Sequence, residues 1–268
     1  MKAISIYSDF DATISIKDVG DELFTTFGSW NILYDKFVNG ECNVRELNKM
    51  LCNSLRNDLT FEEISAFAIA QEIDANVKKF VNFCNENNIN FTIVSDGYDA
   101  YIKPILQYHQ LDYLPVYCNS LVKKKCCHTD LNLCHAVLDT ASPNYLEGIP
   151  KQVRNDIGLF EPVFYGAVDG CLCPTASCKR NVVVNNSTDD DIVVYIGDGH
   201  TDYCGAEHSD IVFAKSRLAA YCSKNRIPHH PFNTFFDIYR ILEKKIKNNE
   251  LHHRHQAKMK RKTAFEIE

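Results

Sequence analysis

Two aspartates one residue apart, Asp9 and Asp11, follow the apolar, β-prone run Ile4 to Tyr7. Side chains alternate along a strand, so the two carboxylates share a face while Phe10 turns into the packing. Like charges this close make it costly to ionise both, so one is readily protonated near neutral pH unless a cation intervenes. Such a pair suits a nucleophile beside an acid, or a metal site. By itself, Asp-x-Asp reads equally as an ordinary strand-ending turn, and other polar groups must decide. Ser95-Asp96-Gly97 closes a second apolar run, and Gly197-Asp198, with Asp202, closes a third. Lys179 opens a helix just before that third run. Adjacent parallel strands gather such ends outside the carboxyl edge of a sheet. There Asp9 and Asp198 offer hard oxygen ligands, and Mg²⁺ typically takes one or two carboxylates plus water and phosphate. Ser95 and the backbone N–H groups of Asp96 and Gly97 can hydrogen-bond phosphate oxygens, with glycine allowing close approach. Lys179 adds a point charge for the non-bridging oxygens. Moving a phosphoryl group asks for this set.

The elements that must position these residues alternate. Strands are predicted at Ile4–Tyr7, Asn90–Val94, Ile192–Ile196 and Ile211–Phe213, with a short extended run at Ile227–His230. Helices are predicted from Asp74 to Asn87, from Ser216 to Lys224 and from Thr234 to Lys247. Strand, helix, strand in this order implies parallel pairing with right-handed crossovers, so the core is an α/β, doubly wound, Rossmann-like parallel sheet. It takes in residues 1–14 and 74–242. Residues 15–73 read as an inserted helical cap: Val19, Leu23, Phe24 and Phe27 have helical spacing, Leu47, Met50 and Leu51 repeat it, and Thr60 with Glu63 forms a capping box. An irregular cysteine-rich insertion spans 119–178, with a hairpin expected at Lys123–Val137. Residues 243–268, rich in Lys, Arg and His, are expected to carry the last helix into solvent and fray.

Composition bounds the rest. The chain has 268 residues, 45% of them hydrophobic, with 16 Phe and 13 Tyr, ample for a packed core. A formal charge of −6 argues against a general nucleic-acid binder, whose footprint is basic. No run approaches the ~18 apolar residues of a membrane span, and Asp9 interrupts any signal-like core, so a soluble, cytoplasmic protein is expected. Its 12 cysteines are then mostly reduced thiols.

The motifs carry a resemblance. In order along the chain, Asp9-Phe10-Asp11-Ala12-Thr13, Ser95-Asp96-Gly97, Lys179 and Gly197-Asp198-Gly199-His200-Thr201-Asp202 resemble the four motifs of haloacid dehalogenase superfamily phosphatases. The helical insertion is similar to the cap of the phosphoserine phosphatase-like branch. Ala12 departs from the usual glycine, a mild change if the position needs only a small residue. The resemblance implies a Mg²⁺-dependent phosphomonoesterase acting on a small phosphorylated metabolite. Asp9 would attack phosphorus and become an aspartyl-phosphate. Asp11 would protonate the leaving oxygen, deprotonate the hydrolytic water, and lend its backbone carbonyl to the metal. Thr13 would orient Asp11, Asp198 would hold the metal, and Asp202 would either support the metal through water or fix Lys179. Asp18 stands where that branch reads a substrate ammonium, although it equally suits a helix N-cap. His200 would touch substrate or line the loop.

Three groups of phosphatase compete. Asp18-Val19-Gly20-Asp21-Glu22-Leu23 resembles the phosphoserine phosphatases. Cys173-Pro174-Thr175-Ala176-Ser177-Cys178-Lys179 resembles the phosphoethanolamine/phosphocholine phosphatases. The ending Ile227-Pro228-His229-His230-Pro231-Phe232-Asn233 resembles the methionine-salvage phosphatases. Phosphotransfer on the same scaffold and a non-catalytic phosphate-binding module are the alternatives. Cys171, Cys173 and Cys178, with Cys126, Cys127, Cys134, His128 and His135, could supply a zinc site, but Cys-x-Cys-x₄-Cys is not a standard zinc spacing.

Overall fold

A computed structural model describes residues 3–125, 158–165 and 175–267. Strands β1 (Ile4–Ser8), β2 (Asn90–Tyr98), β3 (Val116–Lys125), β4 (Gly158–Val163), β5 (Ile192–Gly197), β6 (Ile211–Ala214) and β7 (His230–Pro231) form one sheet. Its order is β4-β3-β2-β1-β5-β6-β7. All pairs are parallel except β3 with β4. Every residue of β1 and β5 is buried, because helices cover both faces of a doubly wound sheet. The strand period shows in β5: Ile192, Val194 and Ile196 join one core cluster, Val193 and Tyr195 the other.

The cap insertion folds as α1 (Val19–Phe27), α2 (Trp30–Val38), α3 (Val44–Ser54) and α4 (Phe61–Ile69). Of these, α2 is a helix the sequence patterning did not isolate. Its apolar positions Trp30, Leu33, Tyr34 and Phe37 have helical spacing and pack only half-buried against the core. Thr60 and Glu63 close the expected capping box on α4. Chain entry and exit meet in an antiparallel bridge between Ser15 and Ile73. Core helix α5 (Val77–Glu86) then leads into β2, and α6 (Asp99–Tyr108) follows it.

One expectation needs correction. β2 does not stop at Val94; after a register irregularity it continues, and Tyr98 pairs with Asn119. The hairpin expected at Lys123–Val137 lies mostly outside the described residues, as do most of the proposed zinc ligands. Lys123–Lys125 pairs antiparallel with Gly158–Phe160. This arm touches the cap: the Lys123 ammonium donates to the Leu59 carbonyl at 2.9 Å, and the Phe61 ring meets Phe160 edge-on.

On the other side of β1 come α7 (Lys179–Asn185), α8 (Tyr203–Glu207), α9 (Ser216–Lys224) and α10 (Phe235–Lys247). The tail does not extend α10 into solvent. A last helix, α11 (His255–Ile267), folds back, with Ala257, Arg261 and Ala264 buried. Arg261 reaches the Asp210 carboxylate at 3.0 Å, and Arg254 donates to the carbonyls of Ala206, Glu207 and Ser209 at the end of α8. Those carbonyls have no partner within α8, so a guanidinium there is both a cap and a dipole match. Arginines anchor this segment, and charge content alone hid that. Among the described residues, no helix is long and apolar enough to cross a membrane.

Candidate active site

Just past β1, the backbone N–H of Asp9 donates to the Ile196 carbonyl at 2.9 Å, tying the first motif to the end of β5. The chain then winds round the Phe10 carbonyl, which accepts from the N–H groups of Ile14 and Ser15. This turn puts Ala12 at φ 51°, in the left-handed region. Glycine is favoured there by the backbone as well as by size, since a Cβ costs roughly 1–2 kcal/mol in that conformation. Smallness alone is therefore not the requirement.

Asp9 is 5% exposed and Lys179 is 1% exposed, and they meet at 2.8 Å. Lys179 also reaches Asp202 at 2.7 Å. Burial alone would weaken the Lys179 ammonium, but Asp202 and Asp9 outweigh it and hold its pKa above the ordinary lysine range. Asp202 spends both oxygens: Oδ1 accepts from Lys179 and from the Tyr195 hydroxyl at 2.8 Å, Oδ2 from the N–H groups of Asp198 and Gly199 at 3.0 and 2.9 Å. Of the two roles open to Asp202, this bonding matches the fixing of Lys179.

Asp198 faces the same centre. Its Oδ1 accepts from the Thr13 hydroxyl at 3.1 Å, so Thr13 serves Asp198 and does not orient Asp11. Oxygens of Asp9, Asp198 and Asp202 lie within 4.8 Å of one another. Burial, then Asp202, pushes Asp198 up to about 6. Burial, then Asp202, raises Asp9 well above the usual carboxylate range against the pull of Lys179. A dry site with more carboxylates than cations resists full ionisation, and the hard-oxygen donor set fits a divalent cation that would relieve it.

Asp11 stands apart from this trio. Its Oδ1 accepts from the Val19 N–H at 3.0 Å, and its Oδ2 from the Tyr101 and Ser95 hydroxyls at 2.7 and 3.3 Å. Its side-chain oxygens are taken by these partners, and the carboxylate cluster that could hold a cation is Asp9, Asp198 and Asp202. Burial, then the charge of Asp18, pushes the Asp11 carboxyl up to about 7. Asp18 caps α1 through the Asp21 N–H at 2.9 Å, and Asp21 is itself pushed up to about 8 by burial, then Asp18 and Asp11. Three carboxylates thus run from Asp11 towards the cap. His200 begins a short 3₁₀ turn, and burial, then Arg217, lowers its pKa.

The second motif lies beside Asp11. Ser95 is buried and its hydroxyl accepts from the Gly97 N–H at 2.9 Å. The Asp96 side chain accepts from the Ser177 N–H at 2.7 Å and the Ala176 N–H at 3.4 Å. Asn119, 0% exposed, completes the tie, donating to the Asp96 carbonyl at 2.7 Å and accepting from the Ser177 hydroxyl. The loop ahead of Lys179 is thereby fastened to the loop after Ser95. Tyr101, Asn119 and Tyr195 are the site residues that sequence reasoning missed. Each is a buried aromatic or amide on an ordinary element, and only its position in strand order signals a role.

No family model matches the chain. Curated relatives do. The chain is 27% identical over 246 residues to the 2-hydroxy-3-keto-5-methylthiopentenyl-1-phosphate phosphatase of Bacillus mycoides (strain KBAB4), covering 90% of this chain and 96% of the relative. The protein of that name from Brevibacillus brevis is 27% identical over 248 residues, with 90% and 96% covered. Among solved structures, a phospho-aspartyl intermediate analogue of phosphoserine phosphatase superposes with a TM-score of 0.59 at 15% identity, over 91% of this chain and 99% of that one. A probable phosphoserine phosphatase from Vibrio cholerae gives 0.61 at 16% identity, over 94% and 68%. The structural likeness shows a fold shared with phosphoserine phosphatases. The curated relatives are named phosphatases and match this chain over nearly its whole length.

Proposed function

We propose that this phosphatase hydrolyses a small phosphorylated metabolite in two steps through Asp9, with Asp11 as general acid and base and Mg²⁺ as the cation. The observation that carries the reading is the Asp9–Lys179–Asp202 chain of contacts at 2.8 and 2.7 Å, set beside Asp198. Lys179 holds the Asp9 carboxylate in one orientation and presents its third proton to a phosphate oxygen. On binding, the Ser95 hydroxyl and the Gly97 N–H, which bond Asp11 and Ser95 in this structure, would turn with the Asp96 N–H to other oxygens of the phosphoryl group. The Asp9 oxygen forms the new bond to phosphorus as the ester P–O bond breaks, and the Asp11 proton goes to the leaving oxygen. Asp11 then takes a proton from the water that opens the aspartyl-phosphate. A bound divalent cation would be held by Asp9, Asp198 and the Asp11 carbonyl, and would neutralise charge on the transferring group.

The names of the curated relatives favour a methylthio-keto-pentenyl phosphate as substrate. A second reading has its own support. Beyond burial, Asp18 raises Asp11, and both raise Asp21, which favours an amine-bearing ester such as phosphoserine or phosphoethanolamine. Phosphate release screened over these esters, phosphocholine, pyridoxal phosphate and the pentenyl phosphate separates the two, with a preference of ~100-fold expected for the true class. Asp9→Asn should cut turnover by ~10⁴-fold or more while leaving the fold intact. An Asp9→Asn enzyme that kept a tenth of its rate would remove Asp9 as the nucleophile. Transfer to an alcohol acceptor in place of water, followed by product analysis, tests the phosphotransferase alternative. A cytoplasmic setting fits a soluble metabolite substrate.

A further inference from the structure

Gly97 is where the phosphate-gripping loop would be expected to need a bare backbone for its ligand. The structure gives it another duty. A Cβ on Gly97 would fall 1.9 Å from the Tyr101 hydroxyl and 2.5 Å from the Asp11 Oδ2, so that space is already filled by these two side chains. Their oxygens are 2.7 Å apart, the shortest bond Asp11 makes. Tyr101 is 0% exposed, in the first turn of α6, its ring tilted against Phe10 at 6.5 Å between centroids. From the cap side, a Cβ on Gly20 would come within 3.2 Å of the same hydroxyl. The tyrosine hydroxyl therefore reaches Asp11 through a slot in which two glycines leave room.

We propose that Tyr101 is a positioning residue for the reaction: its hydroxyl fixes the rotamer of the Asp11 carboxylate, and Gly97 is a glycine so that this contact can form. The proposal rests on the reading of Asp11 as general acid and base. A buried tyrosine hydroxyl needs some acceptor, and a purely structural role would be met by any carbonyl. Here the acceptor is the carboxylate that must deliver its proton to a leaving oxygen, where a misplacement near 1 Å can cost ~100-fold. Held at Oδ2 by Tyr101 and Ser95 and at Oδ1 by Val19, the carboxylate is fixed by one side chain from α6, one from β2 and one backbone group from the start of the cap.

The test uses the Mg²⁺-loaded full chain with p-nitrophenyl phosphate, whose leaving group barely needs a proton, and phenyl phosphate, whose leaving group needs one. Tyr101→Phe removes one oxygen and keeps the ring. It should lose roughly 10-fold more kcat/KM on phenyl phosphate than on p-nitrophenyl phosphate, with KM nearly unchanged, as partial loss of general-acid catalysis would give. In an Asp11→Asn background the same substitution should cost nothing further, because the group it positions is already gone. Equal losses on the two esters, or a further loss in the double variant, would overturn the proposal. An Asp11→Asn enzyme no more sensitive to the leaving group than the parent would instead fail the general-acid reading, and the proposal would fall with it. Should Tyr101→Phe not fold, Gly97→Ala displaces the hydroxyl with its chemistry intact. It should show the same leaving-group signature, and equal losses on both esters would again overturn the proposal.

Discussion

The two ends of β5 hold two buried ionic clusters built from similar residues and balanced differently. At the carboxyl end, Asp9 and Asp202 share the ammonium of Lys179, and Asp198 lies beside them without an ion pair of its own among the described residues. At the amino end, Asp210 faces the guanidinium of Arg261 and accepts from the N–H groups of Val193 and Arg254, at 2.9 and 3.0 Å. The amino-end carboxylate has its charge answered and its lone pairs used. The carboxyl end has charge in excess, which shows in the raised pKa values of Asp9 and Asp198. A paired cluster serves the fold. One held short of cations waits for a metal ion and a ligand, and the fold carries that imbalance as a cost.

This contrast can be broken most sharply by separating activity from stability. Asp198→Asn should lower turnover by ~10³-fold or more through loss of the cation site, yet leave the melting temperature equal or higher, because one of the crowded charges has gone. Mg²⁺ should raise the melting temperature of the parent and not of this variant; a parent unaffected by saturating Mg²⁺ would count against the cation site. Arg261→Ala should do the reverse. Leaving Asp210 buried and unpaired costs ~3–5 kcal/mol, read as a lower denaturant midpoint, while kcat of the folded fraction stays within ~3-fold of the parent.

A smaller effect should come from pH. His208 lies beside the amino-end cluster, its carbonyl accepting from Arg261 at 2.7 Å, and burial lowers its imidazole to about 4. The unfolded chain takes up this proton near pH 6.5 and the folded chain does not, so stability is full above about 6.5 and falls towards pH 4. The loss is up to ~3 kcal/mol, and His208→Gln should flatten that part of the stability profile. Smallest of all, Ala12→Gly should relieve the left-handed turn at the carboxyl end and stabilise the chain by about 0.5–1 kcal/mol, measured by denaturant unfolding; a loss instead would show that the φ of 51° carries no strain.

Strand ends were legible because chemistry and periodicity coincide there. An apolar run that stops at an aspartate announces both the element and the edge it faces, as with Ile192–Ile196 before Asp198. Less legible was anything decided by where a side chain points across elements. The motif gave the Asp96 backbone N–H a task but nothing for its side chain, which holds the Ala176–Ser177 backbone. Thr13 looked like a partner of Asp11 and bonds Asp198. Tyr101 sat in an unremarked helix, since a tyrosine four residues beyond a glycine has no spacing of its own. The folded-back α11 was hidden for a similar reason. Its anchors are two arginines inside a basic segment whose composition describes a solvated tail equally well.

Asp96 and Asn119 bind the turn bearing Ser95 to the one leading into Lys179. The groups that would grasp the phosphoryl oxygens are thus parts of a single stiff jaw, unable to widen on one side and tighten on the other. Such a jaw would hold any phosphate monoester alike. Discrimination among esters would then fall to the opposite end of the substrate, to the helices from 15 to 73 and the arm of β3 and β4 that touches them.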